Sequence, residues 1–207
     1  MRHVPNLLTG LRLALAMFMF FALAAAAGDV PWFSDTLTLP LQQSLQRWAF
    51  GAFVVAAVTD FFDGWLARRM NATTIWGAIL DPIADKVLVC GAVLGLLCEG
   101  ANPAVVLPAA LILFREFTVS ALREVTAGKG VKLPVTLLAK WKTTLQLVAL
   151  GGEILVIAWA AFGLSPTSDL LAYLTIVAHS LLWLAALVTL ITGAQYWEQA
   201  RRALSEA

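Results

Sequence analysis

Charge is what this sequence lacks. Only 13% of its 207 residues are charged, about half the share of a soluble domain, while 60% are hydrophobic. That balance excludes an ordinary water-soluble globule, a disordered chain and a nucleic-acid-binding protein. Neither sign dominates: the net charge is +1, so no global field selects a partner. Cysteine is scarce as well. Cys90 and Cys98 lie eight residues apart in one apolar run. That is about 12 Å along a helix, too far for a disulfide, so both read as packing thiols. Of the two histidines, His3 is terminal and His179 sits in an apolar run, where it reads as a packing residue. No Gly-rich phosphate loop, Cys/His metal cluster or nucleophile elbow occurs. What matters is where the few charges sit.

Long apolar stretches are what the sequence has in plenty. Six can be picked out, at residues 7–27, 45–66, 75–97, 103–125, 138–162 and 170–194. Each is long enough to cross a bilayer, and backbone groups cannot be left open in lipid, so each is expected to be helical. The first is longer than a signal-peptide core and Arg12 interrupts its start, so it reads as a span. The expectation is an all-α integral membrane protein of six transmembrane helices, a single domain over 1–207.

The connections alternate in charge. Arg2 and Arg12, Arg68 and Arg69, Lys86, the group from Arg115 to Lys142, and Arg201 with Arg202 fall on one side. Asp29, Asp35, Glu99 and Asp169 fall on the other, with only Arg47 as a cation. The positive-inside rule then puts both termini and the basic connections in the cytoplasm. Tryptophans agree: Trp65, Trp76, Trp141 and Trp197 fall near the predicted inner interface, Trp32 and Trp48 near the outer one.

The segment 59–86, TDFFDGWLARRMNATTIWGAILDPIADK, carries the chemistry. Asp60 and Asp63 are three apart and share one helical face; Asp81 and Asp85 are four apart and share a face of the next helix. A short polar turn around Asn71 makes the two helices antiparallel, so four carboxylates can converge at the inner end of a membrane domain. Unbalanced, they would repel and resist burial. Locally, only Arg68, Arg69 and Lys86 are positive. Four hard oxygen donors suit magnesium or manganese, and shared carboxylates could bridge two ions. Gly64 follows Asp60 by one turn and Gly77 precedes Asp81 by one turn. Glycine within a helix costs about 1 kcal/mol, so this pair points to a ligand approaching the backbone.

Asp60-x2-Asp63-Gly64-x2-Ala67-Arg68-x8-Gly77-x3-Asp81-x3-Asp85 resembles the complete signature of the CDP-alcohol phosphotransferases. The pattern fixes eight residues over 26 positions, and all are met. Three further segments are similar to the bacterial phosphatidylglycerophosphate synthase branch of that family. They are Pro5-Asn6-Leu7-Leu8-Thr9 with Arg12, the run from Arg115 to Glu124, and the run from Lys140 to Gln146. Ala139 stands where that branch usually has glycine before its Lys-x-Lys-Thr run, a small-for-small change.

The resemblance implies a fold and a reaction. Members are six-helix membrane enzymes, usually dimers, so a homodimer in the bacterial inner membrane is expected, with the active site facing the cytoplasm and lipids around it. The implied substrates are CDP-diacylglycerol and sn-glycerol 3-phosphate, with CMP released. Asp60, Asp63 and Asp81 are the implied metal ligands. Asp85 is the implied general base, and also a ligand candidate, since an ion beside it would hold it ionised. Asn6, Gly64, Ala67, Arg68 and Gly77 join the aspartates as candidates for binding the CDP-linked donor, with Arg68 on a donor phosphate. A phosphorylated acceptor needs cations, and Arg115, Arg123, Lys140 and Lys142 are the candidates. Arg115 lies well inside an apolar run, where a charge is costly, with Glu116 and Glu124 as orienting partners. Two other readings are weaker. A family member using another acceptor, such as inositol phosphate, keeps the metal site. A cation transporter would need its carboxylates near the midplane rather than at one face.

Overall fold

The computed structural model describes residues 4–70, 75–100, 102–130 and 137–205, with the backbone alone at 4–5, 61–70, 75–76, 78 and 137–140. The described chain is helical. Six long helices follow one another: α1 (Val4–Ala27), α2 (Leu39–Met70), α3 (Ile75–Cys98), α4 (Pro103–Gly128), α5 (Leu137–Ile157) and α6 (Asp169–Ser205). Short 3-10 turns stand at Ser34–Thr36 and Trp159–Phe162. Among the described residues, α1 from Asn6, α4 and α6 are long and apolar enough to cross a membrane. Their surfaces agree. Met17, Phe18 and Phe21 on α1, Phe114 and Phe117 on α4, and Tyr173, Ile176 and Leu187 on α6 are all exposed. Side chains of that size belong in lipid rather than water. The chain is a membrane protein.

The helices form two compact units, Met1–Ala101 with Leu150–Thr175, and Asn102–Ala149 with Ile176–Ala207. In the first, α1 packs against α2 and α3 through small residues. Ala16, Ala22, Ala25 and Ala26 of α1 are buried, as are Ala49, Ala52 and Ala56 of α2 and Ala84 and Ala92 of α3. Small faces let helix backbones approach in lipid, where hydrophobicity gives no drive to associate. Gly91 and Gly95 take this furthest. A Cβ at Gly91 would stand 3.3 Å from the Ala16 carbonyl oxygen, and one at Gly95 2.5 Å from Leu23 Cδ1.

The second unit buries Val105, Ala109, Ile112 and Val119 of α4 and Ala178, Leu182, Ala185, Ala186 and Tyr196 of α6. Asn102 caps α4: its side chain accepts from the Ala104 N–H at 3.0 Å, with Pro103 opening the helix. His179 packs near that cap, its Nε2 3.3 Å from Asn102 Nδ2.

The ends of α2 and α6 extend beyond their apolar stretches. α2 begins six residues before the stretch at 45–66, and α6 runs on to Ser205, well past residue 194. Helices outlast their apolar part because polar end turns are still hydrogen-bonded. α5 is the opposite case. It stops at Ile157, and the chain closes through the 3-10 turn, with Gly163 left-handed (φ 74°).

Candidate functional site

The first unit gathers carboxylates around one guanidinium. Arg12, on the buried face of α1, is 1% exposed. Its Nη1 donates to Asp60 Oδ1 of α2 and stands 3.0 Å from Asp85 Oδ1 of α3, while its Nη2 lies 3.6 Å from Asp81 Oδ1. One turn earlier on α1, Thr9 Oγ1 donates to Asp81 Oδ1 at 2.6 Å. Three helices thus meet at one charge cluster. The i, i+4 spacing of Asp81 and Asp85 sets both on one face of α3, as the sequence requires. Pro82, between them, lies inside α3 and removes one helical N–H there.

Sequence reasoning looked for the balancing charge in Arg68, Arg69 and Lys86, and gave Arg12 a topological role and a place in the opening motif. The structure makes Arg12 the counter-ion. A lone arginine in the first apolar stretch was the available signal, since such a charge must find a partner. Asp63, Gly64, Ala67 and Arg68 fall on the part of α2 whose side chains lie outside the described residues. Gly77 is buried one turn before Asp81, and Asn6 is half-buried at the start of α1.

In donor chemistry these carboxylates suit a divalent cation, but among the described residues no three of them are gathered as a metal-binding group, and Arg12 stands between them. Among the described residues, three carboxylates face a single positive charge, so that part of the cluster is short of positive charge. The Asp81 and Asp85 side chains remain 52% and 55% exposed, leaving oxygens open to a further ion. All donors are hard oxygens, as magnesium and manganese prefer.

The second unit holds the inverse arrangement. Arg115 of α4 and Lys142 of α5 are buried, at 6% and 4% exposed, and share Glu116. Lys142 Nζ donates to Glu116 Oε1, and Arg115 Nη1 reaches the same oxygen at 3.4 Å. Arg115 Nη2 donates to Thr192 Oγ1 at 3.3 Å. Arg123, two turns along α4, donates from Nη2 to the Tyr196 hydroxyl at 2.8 Å. Both guanidiniums lie by the Tyr196 ring, 4.9 Å (Arg123) and 5.7 Å (Arg115) from its centre. Among the described residues, three cations gather around one carboxylate, a positive surplus whose chemistry suits a phosphate dianion. Lys140 lies on the part of α5 whose side chains are outside the described residues.

Sequence reasoning missed what α6 contributes. Thr192, Gly193 and Tyr196 form one face that holds the two arginines. A Cβ at Gly193 would stand 2.9 Å from Arg115 Cγ, so glycine leaves room for the arginine stem. The signals were faint: a Thr-Gly pair within an apolar run, and one of only two tyrosines.

Comparisons with known proteins bear on the chain as a whole. The family model for CDP-alcohol phosphatidyltransferase matches residues 2–191. A CDP-diacylglycerol–glycerol-3-phosphate 3-phosphatidyltransferase of Cereibacter sphaeroides is 38% identical, covering 97% of this chain and 95% of its own length. A protein of the same name from Rickettsia bellii is 45% identical over 72% of this chain and 77% of its own. One from Haemophilus influenzae is 36% identical over 84% and 88%. With the family model spanning nearly the whole chain, and relatives matching it almost end to end, the chain belongs to the CDP-alcohol phosphatidyltransferase family.

Proposed function

We propose that this protein transfers the phosphatidyl group of CDP-diacylglycerol to sn-glycerol 3-phosphate, releasing CMP, as the first committed step toward phosphatidylglycerol. The observation that carries this reading is the near full-length likeness to relatives bearing that activity in their names. The two charge clusters give it a physical basis: one suits a metal-bound pyrophosphate, the other a phosphate dianion.

The acceptor's primary hydroxyl oxygen attacks the phosphorus that carries the diacylglycerol. The bond from that phosphorus to the bridging oxygen breaks, and CMP leaves with the electron pair. The hydroxyl proton passes to the Asp85 carboxylate. A divalent ion, magnesium or manganese, would neutralise charge on the donor's phosphates, with Asp60, Asp63, Asp81 and Asp85 as its holders and two ions as the expected number. Arg12 fixes the orientation of Asp60, Asp81 and Asp85, and Thr9 that of Asp81. Arg68 pairs with a donor phosphate, and Asn6, Gly64, Ala67 and Gly77 give the nucleotide and pyrophosphate room and contacts. Arg115, Arg123, Lys140 and Lys142 hold the acceptor phosphate, with Glu116 orienting Arg115 and Lys142.

The same reading makes the chain one domain of six spans in the bacterial inner membrane, a homodimer with both termini and the active site on the cytoplasmic side. Charge asymmetry between the connections supports that placement.

Purified protein in detergent, given CDP-diacylglycerol and magnesium, should release CMP with sn-glycerol 3-phosphate and stop when EDTA is added. Inositol phosphate and serine, offered in parallel, should give none. CMP release with either of those instead would keep the metal site and overturn the acceptor assignment.

A further inference from the structure

The cationic cluster has a neutral extension that no residue assigned above explains. Gln146 of α5 is 1% exposed, and neither its amide nitrogen nor its amide oxygen has a hydrogen-bond partner among the described residues. Thr189 of α6 is fully buried, and its hydroxyl likewise has none. Both are unusual. A buried carboxamide left unpaired is costly, and a helix interior in lipid accepts leucine at no such cost. Threonine in a helix normally bonds back to a carbonyl one turn earlier, as Thr192 does to Val188 and Thr189 at 3.0 and 2.9 Å. Thr189 does not.

Their positions are ordered. Gln146 follows Lys142 by four residues, so it lies one turn along the same face of α5. Thr189 precedes Thr192 by three and Gly193 by four, one turn along the face of α6 that holds Arg115. Each unpaired group is therefore one turn from a member of the cationic cluster, within the same unit. Charged groups for an anion, followed by neutral groups that both donate and accept, match a small phosphate ester carrying a free hydroxyl. A hydroxyl is itself donor and acceptor, and a carboxamide or a threonine hydroxyl can answer either role.

We infer that Gln146 and Thr189 bind the secondary hydroxyl of the acceptor, the one that does not attack, and so select a hydroxylated phosphate over its deoxy analogue. The inference rests on the acceptor assignment made above. A site built to bond a hydroxyl discriminates strongly against a ligand lacking it, because its own buried groups then stay unpaired.

The test compares sn-glycerol 3-phosphate with 3-hydroxypropyl phosphate, which keeps the phosphate and the attacking primary hydroxyl but lacks the secondary one. Full-length protein in detergent is assayed for CMP release, as wild type, Gln146→Leu, Gln146→Met and Thr189→Val. Wild type should favour glycerol phosphate by roughly tenfold or more in kcat/KM. Gln146→Leu should raise the KM for glycerol phosphate about tenfold, leave that of the analogue unchanged, and not lower the Tm, since it removes an unpaired buried group. Thr189→Val should reduce the preference in the same direction. Gln146→Met serves if the leucine variant folds poorly. An unchanged preference in all variants would overturn the inference, and so would equal losses on both acceptors together with a lowered Tm, which mark a structural role. Failure of wild type to use either acceptor would instead sink the acceptor assignment, and this inference with it.

Discussion

Arg12 and Gly193 show how much one side chain, or its absence, can decide. Among the described residues, Arg12 is the single cation paired with Asp60, Asp81 and Asp85. Arg12→Ala leaves three carboxylates facing one another across α2 and α3. Removing one partner of a buried ion pair costs about 3–5 kcal/mol, and the exposure of Asp81 and Asp85 brings the expected loss to about 2 kcal/mol. A divalent ion should replace part of what is lost, because it binds the folded state with its carboxylates assembled. Thermal melts in detergent should show a lower Tm for the variant in EDTA and a larger rise on adding magnesium than wild type shows. Equal rises would mean that Arg12 and the ion do not serve the same carboxylates. At Gly193 the effect is steric. A methyl 2.9 Å from Arg115 Cγ must push the arginine stem aside. Gly193→Ala should therefore raise the acceptor KM roughly tenfold and leave the donor KM alone. An unchanged acceptor KM would remove Arg115 from the acceptor site.

Elements are where the sequence was most readable, and the reason is physical. In lipid an apolar stretch of some 20 residues has no alternative to helix, and each of the six apolar stretches falls on one of α1 to α6, of which α1, α4 and α6 are, among the described residues, long and apolar enough to cross a membrane. Hydropathy reports the membrane rather than the helix, which is why α2 and α6 extend past their apolar parts and why the break after Ile157 went unseen. The carboxylates were legible because helical spacing alone sets Asp81 and Asp85 on one face. Their counter-ion was not, since Arg12 stands 48 residues from Asp60 and 69 and 73 from Asp81 and Asp85 of α3. Contacts across helices leave little trace in one sequence. The α1–α3 seam is another such contact. Gly95→Ala puts a Cβ 2.5 Å from Leu23 Cδ1 and should cost about 1–3 kcal/mol by overpacking. Leu23→Ala alone should cost about 2–5 kcal/mol by leaving a cavity. If the seam is set by this pair, the double variant should cost clearly less than the two losses added, read from Tm in a double-mutant cycle. Additive losses would mean that Leu23 and Gly95 pack independently.

At the scale of the whole molecule, a net charge of +1 conceals two local imbalances of opposite sign. One unit holds a carboxylate surplus around Arg12; the other holds a cation surplus around Glu116. Neither is neutral alone among the described residues, and the proposed ligands carry the opposite charge, so on that proposal folding and substrate binding draw on the same electrostatics. Away from both clusters, Glu99 gives the fold a pH dependence of its own. It follows α3, half-buried beside Gln46, whose Nε2 donates to its carboxylate at 3.1 Å. Burial pushes the Glu99 carboxyl above its ordinary value near 4.5, the Gln46 hydrogen bond partly offsets this, and repulsion from Asp29 adds to it. A carboxyl whose folded value is raised holds its proton more tightly when folded. Its contribution is therefore fully present below about pH 4.5 and is lost as pH rises through the raised value. Glu99→Gln keeps the shape and removes the proton exchange. Melts of both proteins from pH 4.5 to 8 should show the variant gaining on wild type as pH rises, most steeply just above the ordinary glutamate range. A constant gap between the two curves would show that Glu99 ionises as freely in the folded protein as in the unfolded chain.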